Sequence, residues 1–176
     1  RNKSVLELIK EKSLKFGGDT LWLSLSSAFE KLPNGIKSEL EEMNAVHDLG
    51  DFRNTFAKSE INREKINEAH QVFGSAIHPV VKVHPVSGRK FLFVNEGFTQ
   101  HLVGMSASES NNLLTYLYKQ IERPENQVRF HWTENSMAIW DNRCTWHYAA
   151  ADYLPNERIM HRITVGTDTR AERFKD

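Results

Sequence analysis

Two arginines near the carboxyl end of the chain have the type and spacing to bind anions. If the segment Arg158–Val165 is a strand, its period of two places Arg158 and Arg162 on one face, four residues apart. A guanidinium pairs bidentately with carboxylate or sulfonate groups, so the two side chains could bind two different anions. The opposite face, which carries Ile159 and Ile163, would then pack on helices. Alternatively, both arginines are ordinary surface charges, because lysine and arginine are mostly exposed in proteins.

A histidine between two aromatic residues is the next candidate. His147 follows a strand-like run and an Asp-Asn turn, and it lies between Trp146 and Tyr148. A neutral imidazole there could be a metal ligand, a general base or a hydrogen-bonded polar group in an aromatic pocket. Cys144 lies three residues before it, but nothing in the sequence lowers the thiol pKa as a nucleophile requires.

Other histidines have structural explanations. His78 and His84 each precede a proline, and a strand or hairpin accounts for both. His47 and Asp48 are adjacent, and adjacent residues of an extended chain point to opposite sides, so we interpret this pair as structural. The sequence contains no Gly-x-Ser-x-Gly elbow, no phosphate-binding Gly-x-x-x-x-Gly-Lys loop and no His-Glu-x-x-His motif.

The elements that must position these candidates are strands in the second half of the chain. Two short runs rich in β-formers, Val80–Val83 and Phe91–Val94, flank turn residues at Pro85–Gly88. Three further segments have strand-like patterns: Gln127–Trp132, Met137–Trp140 and Arg158–Val165.

Helical patterns are more frequent in the first half. Pro33 is followed by apolar residues at spacings of four and three, which predicts a helix with Leu40 in its buried stripe. Asn62–Phe73 is typical of a second helix. A capping box at Ser106–Glu109 precedes apolar residues as far as Ile121 and predicts a third helix. This mixture favours helices packed against an antiparallel sheet over alternating β-α-β units.

Eight blocks of the sequence, in chain order, are distinctive: Gly17–Trp22, His78–Val81, His84–Gly88, Phe93–Thr99, Ile139–Arg143, His147–Ala149, Ala151–Pro155 and Arg158–Arg162. Together they resemble the taurine dioxygenase family of Fe(II)- and 2-oxoglutarate-dependent dioxygenases. The family fold is a double-stranded β-helix, or jelly roll, with flanking helices. The resemblance therefore implies a β-rich fold, a strand at Val5–Ile9, and one domain over residues 1–176 that is the C-terminal portion of such a jelly roll.

The resemblance assigns a metal site and a cosubstrate site. His147 would be an iron ligand, Arg158 would pair with the distal carboxylate of 2-oxoglutarate, and Thr20 would help to hold the same molecule. Such iron is bound by two histidines and one carboxylate, and the family takes the first two ligands from a His-x-Asp motif upstream of Gly-Gly-Asp-Thr. None of the eight histidines is followed two residues later by Asp or Glu. We therefore expect the N-terminal part with that motif to be missing, and the chain to be inactive alone.

The resemblance also assigns a substrate and a reaction. Arg162 would bind the sulfonate of a taurine-like substrate, and Phe98 and Phe56 would form apolar walls. The implied reaction hydroxylates the carbon next to the sulfonate and releases sulfite, an aldehyde, succinate and CO2. Two alternatives remain: a related dioxygenase for alkyl sulfates or carboxylates, and a non-catalytic, anion-binding jelly roll without the metal centre.

Composition narrows the partners and the compartment. The 23 Lys and Arg residues balance the 23 Asp and Glu residues, which argues against the broad basic surface that nucleic acids or anionic membranes require. One cysteine cannot form an intramolecular disulfide, and no apolar run resembles a transmembrane helix or a signal peptide. We therefore predict a cytoplasmic protein, and the resemblance adds the expectation of a homo-oligomer.

Overall fold

The structure of the chain, a computed structural model, describes residues 3–10, 17–49 and 74–166, with the backbone alone for residues 3–10. The chain divides into two compact units, residues 1–28 with 121–171 and residues 29–120 with 172–176. The strands are β1 Lys3–Lys10, β2 Thr20–Ser24, β3 Asn44–His47, β4 Ala76–Pro79, β5 Val81–Val83, β6 Lys90–Leu92, β7 Thr99–Leu102, β8 Gln127–Phe130, β9 Met137–Trp140, β10 Thr145–Ala149 and β11 Met160–Gly166. The helices are α1 Leu25–Glu30, α2 Asn34–Glu41 and α3 Ala107–Ile121, and Pro124–Asn126 forms a 3-10 turn.

The first unit consists mainly of two three-stranded antiparallel sheets. One has the order β11-β1-β9 and the other the order β10-β2-β8. Neighbours in space are therefore distant in sequence, since β2 is hydrogen-bonded to two strands that begin more than a hundred residues later. This pairing of strands that are distant in sequence places β2 beside the C-terminal candidate residues.

Aromatic side chains connect the two sheets of the first unit. Trp22 of β2 lies with its ring centroid 5.1 Å from that of Trp140 of β9, and 6.0 Å from that of Phe130 of β8. Trp132, which is almost fully buried, packs on both Trp22 and Phe130. Aromatic rings at these separations and tilted angles contribute packing beyond the area they bury, so they fix the spacing of the sheets.

The second unit combines a three-stranded sheet, β4-β3-β7, with the hairpin β5-β6 and the helices α2 and α3. Its core includes Leu40 of α2, Ala45 of β3, Val80, and Leu114 and Leu117 of α3, all buried. The imidazole of His84 closes the hairpin, because its Nδ1 atom accepts the backbone N–H groups of Val86 and Ser87. The hairpin explanation of His84 is thereby confirmed.

Several predicted elements are confirmed within narrow limits. β9 has the predicted bounds, and β5 pairs with β6 across the predicted turn. At the start of α3, Ser106 Oγ accepts the N–H of Glu109 at 3.3 Å, while Glu109 Oε2 accepts the N–H of Ser106 at 3.0 Å, which is the reciprocal pair of a capping box. The strand at Val5–Ile9 lies inside β1.

Three expectations are wrong or fall outside the described residues. Among the described residues, strands are not concentrated in the second half, because they occur throughout, whereas two of the three described helices lie in the first half. The face of Ile159 and Ile163 does not pack on helices among the described residues, since the two side chains are 38% and 57% exposed. The predicted helix Asn62–Phe73 lies outside the described residues. No described helix is long and apolar enough to cross a membrane.

Candidate active site

The first unit brings four of the predicted site residues into one neighbourhood. Thr20 begins β2, His147 lies in the middle of β10, and Arg162 lies in β11. Arg158 precedes β11, which begins at Met160, so the prediction that the strand includes Arg158 is wrong. Its position is set by a loop contact instead of by strand periodicity.

His147 lies against an aromatic ring. Its imidazole centroid is 5.4 Å from that of Trp140, and its backbone is paired with Trp22 of β2. Desolvation lowers the pKa of His147 below its usual value, and the positive charge of Arg162 lowers it further. The ring is therefore neutral at neutral pH, as a metal ligand must be, although part of it remains open to solvent.

Arg162 lies on the same face of its sheet as Trp140. On β1, Leu8 is opposite Arg162 and Leu6 is opposite Trp140, and positions two residues apart share a face. Since the ring of Trp140 contacts His147, this face is directed toward β10. The electrostatic effect of Arg162 on His147 agrees with this placement. As predicted, Arg162 lies in a strand, on the face opposite that of Ile163.

Arg158 is held by a backbone carbonyl that leaves its fork open. Its Nε atom donates a hydrogen bond of 3.1 Å to the carbonyl oxygen of Gly18, and its guanidinium lies 5.8 Å from the ring centroid of Tyr153. Its two terminal Nη groups have no partner among the described residues, so they are free to form a bidentate pair with a carboxylate.

Glycine is required beside Arg158. Gly18 has a φ of +71°, and a Cβ atom there would lie 2.9 Å from Cδ of Arg158. Gly17 has a φ of +77°, and its Cβ would lie 2.8 Å from the carbonyl oxygen of Asp152. The Gly-Gly pair therefore allows the Arg158 loop to approach β2 closely.

Thr20 is more enclosed than Arg158. It is 1% exposed, and its Oγ1 atom accepts a hydrogen bond of 2.9 Å from Nε1 of Trp132. Its own hydroxyl hydrogen has no acceptor among the described residues, so it remains available to a ligand oxygen.

Charged residues around Thr20 were not identified from the sequence. Asp19, which is 8% exposed, binds Nε of Arg129 at 2.6 Å and Nδ1 of His131 at 2.8 Å. Burial opposes ionisation of Asp19, but its hydrogen bonds and ion pairs with Arg129 and His131 outweigh burial and lower the pKa of the carboxyl. The only sequence signal for this cluster is the position of Asp19 inside Gly-Gly-Asp-Thr.

The remaining predicted residues are less informative. Phe98 lies in the second unit, where it is 36% exposed and its carbonyl accepts the N–H of Asp48 at 3.0 Å. Phe56 lies outside the described residues. Among the residues that the structure describes, no group of three metal-ligating side chains includes His147.

Comparison with known proteins identifies the family of the chain. Residues 5–164 match the model of the family described as "Taurine catabolism dioxygenase TauD, TfdA family". The chain is 40% identical over 153 residues to an alkylsulfatase of Acinetobacter baylyi, an alignment that covers 85% of this chain and 48% of that protein. It is 36% identical to an alpha-ketoglutarate-dependent sulfate ester dioxygenase of Pseudomonas putida, with 85% of this chain and 50% of that protein covered.

A solved structure extends the likeness to the fold. The chain superposes on a taurine dioxygenase from Burkholderia xenovorans with a TM-score of 0.76 and 30% identity, covering 93% of this chain and 52% of the other. The chain thus spans about half the length of the proteins it matches. The likeness confirms the predicted β-rich, jelly-roll class. Because the family match extends over most of the sequence, the chain belongs to the TauD/TfdA family of taurine catabolism dioxygenases.

Proposed function

We propose that the whole protein is an Fe(II)- and 2-oxoglutarate-dependent dioxygenase that oxidises an organic sulfonate of the taurine type. The observation that carries the proposal is the open fork of Arg158, fixed at Nε by Gly18 beside the start of β2. A fixed guanidinium with two free Nη groups suits the distal carboxylate of 2-oxoglutarate. In this assignment Thr20 donates its hydroxyl hydrogen to the same ligand.

The second anion site would be Arg162. It lies on the face that carries Trp140, next to the candidate ligand His147. A substrate sulfonate bound there would be oriented by charge. The role of the protein is then to orient one C–H bond, since holding reactants in a fixed geometry contributes much of the rate.

An alkyl sulfate is the second candidate substrate. The relative with 40% identity is an alkylsulfatase, and the one with 36% identity is a sulfate ester dioxygenase. A guanidinium pairs equally well with a sulfonate and with a sulfate ester, because both present the same tetrahedral oxygens. The two substrates differ at the atom that joins sulfur to the carbon chain, and Arg162 would not contact that atom.

Anaerobic titration of the whole protein with Fe(II) and 2-oxoglutarate tests the class. A visible absorption band that forms with 2-oxoglutarate and then shifts on addition of taurine supports the proposal. A shift with an alkyl sulfate and none with taurine would favour the second candidate. A protein that gives no band would be a non-catalytic, anion-binding jelly roll.

The Arg162→Ala variant tests the substrate site separately. Loss of a charge-assisted hydrogen bond of about 2 kcal/mol should raise the substrate KM about thirtyfold and leave the affinity for 2-oxoglutarate unchanged. Lys119→Ala, which removes one positive charge from the exposed side of α3, is the matched control. Unchanged turnover of the substrate by Arg162→Ala would show that another residue binds the sulfonate or sulfate group.

A further inference from the structure

One carboxylate connects the Arg158 loop to the glycine segment before β2. Asp152 Oδ1 accepts a hydrogen bond of 2.8 Å from the N–H of Gly18. The carbonyl of the same glycine accepts Nε of Arg158 at 3.1 Å. Gly18 therefore joins Asp152 and Arg158 through its two backbone groups, and its orientation determines where both partners lie.

Two further contacts lie beside this connection. The N–H of Ala150 donates to the carbonyl of Asp19 at 2.9 Å, so the loop is attached to the glycine segment at two points. Asp152 Oδ2 also faces Nη2 of Arg129 at 3.6 Å. Both side chains of that ion pair are more than half exposed, so it contributes little, and the bond to Gly18 is the contact that matters.

The left-handed conformation of Gly18 makes its peptide dependent on such a contact. Glycine has the largest conformational freedom of any residue, so a Gly-Gly segment is held by its partners and not by its own backbone preference. One of these partners is Asp152, which accepts the N–H of Gly18. Without an acceptor for it, the carbonyl that holds Arg158 would have more than one accessible orientation.

We propose that Asp152 is a positioning residue for the cosubstrate. It does not touch the ligand. It accepts the N–H of Gly18 and so restrains the backbone dihedrals of that residue, the Gly18 carbonyl accepts Nε of Arg158, and the two Nη groups then present a single orientation to the distal carboxylate. This inference rests on the proposed role of Arg158. A guanidinium that must be ordered on binding loses affinity relative to one that is ordered beforehand.

The test compares three variants of the whole protein, with Mn(II) in place of Fe(II) to prevent turnover. Asp152→Ala removes the acceptor, Asp152→Asn keeps an Oδ1 acceptor, and Asn156→Ala changes an exposed side chain of the same turn that has no hydrogen bond among the described residues. Calorimetric titration measures the Kd of 2-oxoglutarate and of the sulfonate or sulfate ester. Melting temperatures without ligand show whether each variant is folded.

The expected result is selective for one ligand. Asp152→Ala should raise the Kd of 2-oxoglutarate about fivefold, the range of one ordinary hydrogen bond, without changing the substrate Kd. Asp152→Asn should restore most of the affinity, and Asn156→Ala should behave as wild type. The melting temperature should hardly change, because exposed substitutions have small effects on stability.

Two outcomes would overturn the inference. An unchanged Kd of 2-oxoglutarate in Asp152→Ala would do so, and equal weakening of both ligands with a lower melting temperature would show a merely structural role. A parallel Arg158→Ala variant separates this inference from the proposed function. If Arg158→Ala weakens 2-oxoglutarate and Asp152→Ala does not, only the positioning role fails. If neither does, the role of Arg158 fails as well.

Discussion

Two histidines of this chain each lie against an aromatic ring, but they differ in their exposure to solvent. His147, in the first unit, lies beside Trp140 and is influenced by Arg162. His47, in the second unit, lies 5.3 Å from Phe93 and 5.5 Å from His78 between ring centroids. Both have a lowered pKa for the same first reason, which is desolvation.

The two histidines differ in burial, and the nitrogen atoms of His47 are enclosed by the protein. His47 Nδ1 lies 3.3 Å from Oγ1 of Thr99, and His47 Nε2 is buried without a partner among the described residues. His147, in contrast, is an exposed residue. A lowered pKa is therefore common to both histidines and does not by itself identify a functional one.

The second unit completes its cluster with a lysine. Nζ of Lys82 lies 3.5 Å from the ring centroid of Phe93 and 3.4 Å from Nδ1 of His78. Burial lowers the pKa of Lys82 to about 8. Every member of this cluster contacts another member. We infer that the His47 cluster stabilises the fold, and that the His147 neighbourhood binds ligands.

The largest expected effect is a loss of stability when the His47 cluster is disrupted. Phe93 contacts His47, His78 and Phe91, so Phe93→Ala should lower the free energy of unfolding by about 3 kcal/mol through lost packing. The Kd of 2-oxoglutarate should not change. Chemical denaturation and calorimetry on the same sample measure both quantities. A large loss of ligand affinity in a folded Phe93→Ala protein would contradict the division of roles.

Substitution of Arg158 should have the opposite result: weaker ligand binding with nearly unchanged stability. Arg158→Ala should raise the Kd of 2-oxoglutarate about thirtyfold, because a charge-assisted pair of about 2 kcal/mol is lost. Its free energy of unfolding should be nearly that of wild type, since Arg158 forms a single hydrogen bond with the part of the chain that the structure describes. Wild-type affinity for 2-oxoglutarate in this variant would place the cosubstrate elsewhere.

A smaller effect should appear as a pH dependence of stability. The pKa of His47 is lowered from 6.5 to about 4, so below pH 6.5 the unfolded chain binds a proton that the folded chain does not. Stability should therefore fall as the pH falls from 6.5 toward 4, by about 1–2 kcal/mol at pH 5. Denaturation midpoints of wild type and His47→Gln across this range measure it, and the variant should show a shallower slope.

A matched control identifies the source of that slope. His101 is an exposed histidine of β7, so His101→Gln should keep the slope of wild type. Some slope should persist in His47→Gln, because burial and the charge of Lys82 also lower the pKa of His78. Equal slopes in wild type and His47→Gln would show that His47 is not buried as a neutral ring.

Local patterns predicted the elements whose signals are local. The capping box of α3, the bounds of β9 and the turn between β5 and β6 depend on residues a few positions apart, and all three are confirmed. The pattern at Val5–Ile9 was too short to assign, and only the family resemblance made it a strand. The short helix α1 gave no recognisable signal.

The site depends on contacts that sequence periodicity does not encode. The period of two placed Arg162 correctly, because β11 includes it and the register with β1 holds it. It failed for Arg158, whose position depends on the carbonyl of Gly18, 140 residues away. Asp152 and Arg129 were missed for the same reason, since each is held by partners distant in sequence.

The most direct test of the central claim uses a shortened ligand. 2-Oxobutyrate keeps the 2-oxo acid of 2-oxoglutarate and lacks the distal carboxylate that Arg158 is proposed to bind. With Mn(II), the wild-type whole protein should bind 2-oxoglutarate about thirtyfold more tightly than 2-oxobutyrate, and Arg158→Ala should bind the two with nearly equal affinity. If Arg158→Ala kept the full preference for 2-oxoglutarate, the distal carboxylate would be bound by another residue, and the account would be wrong.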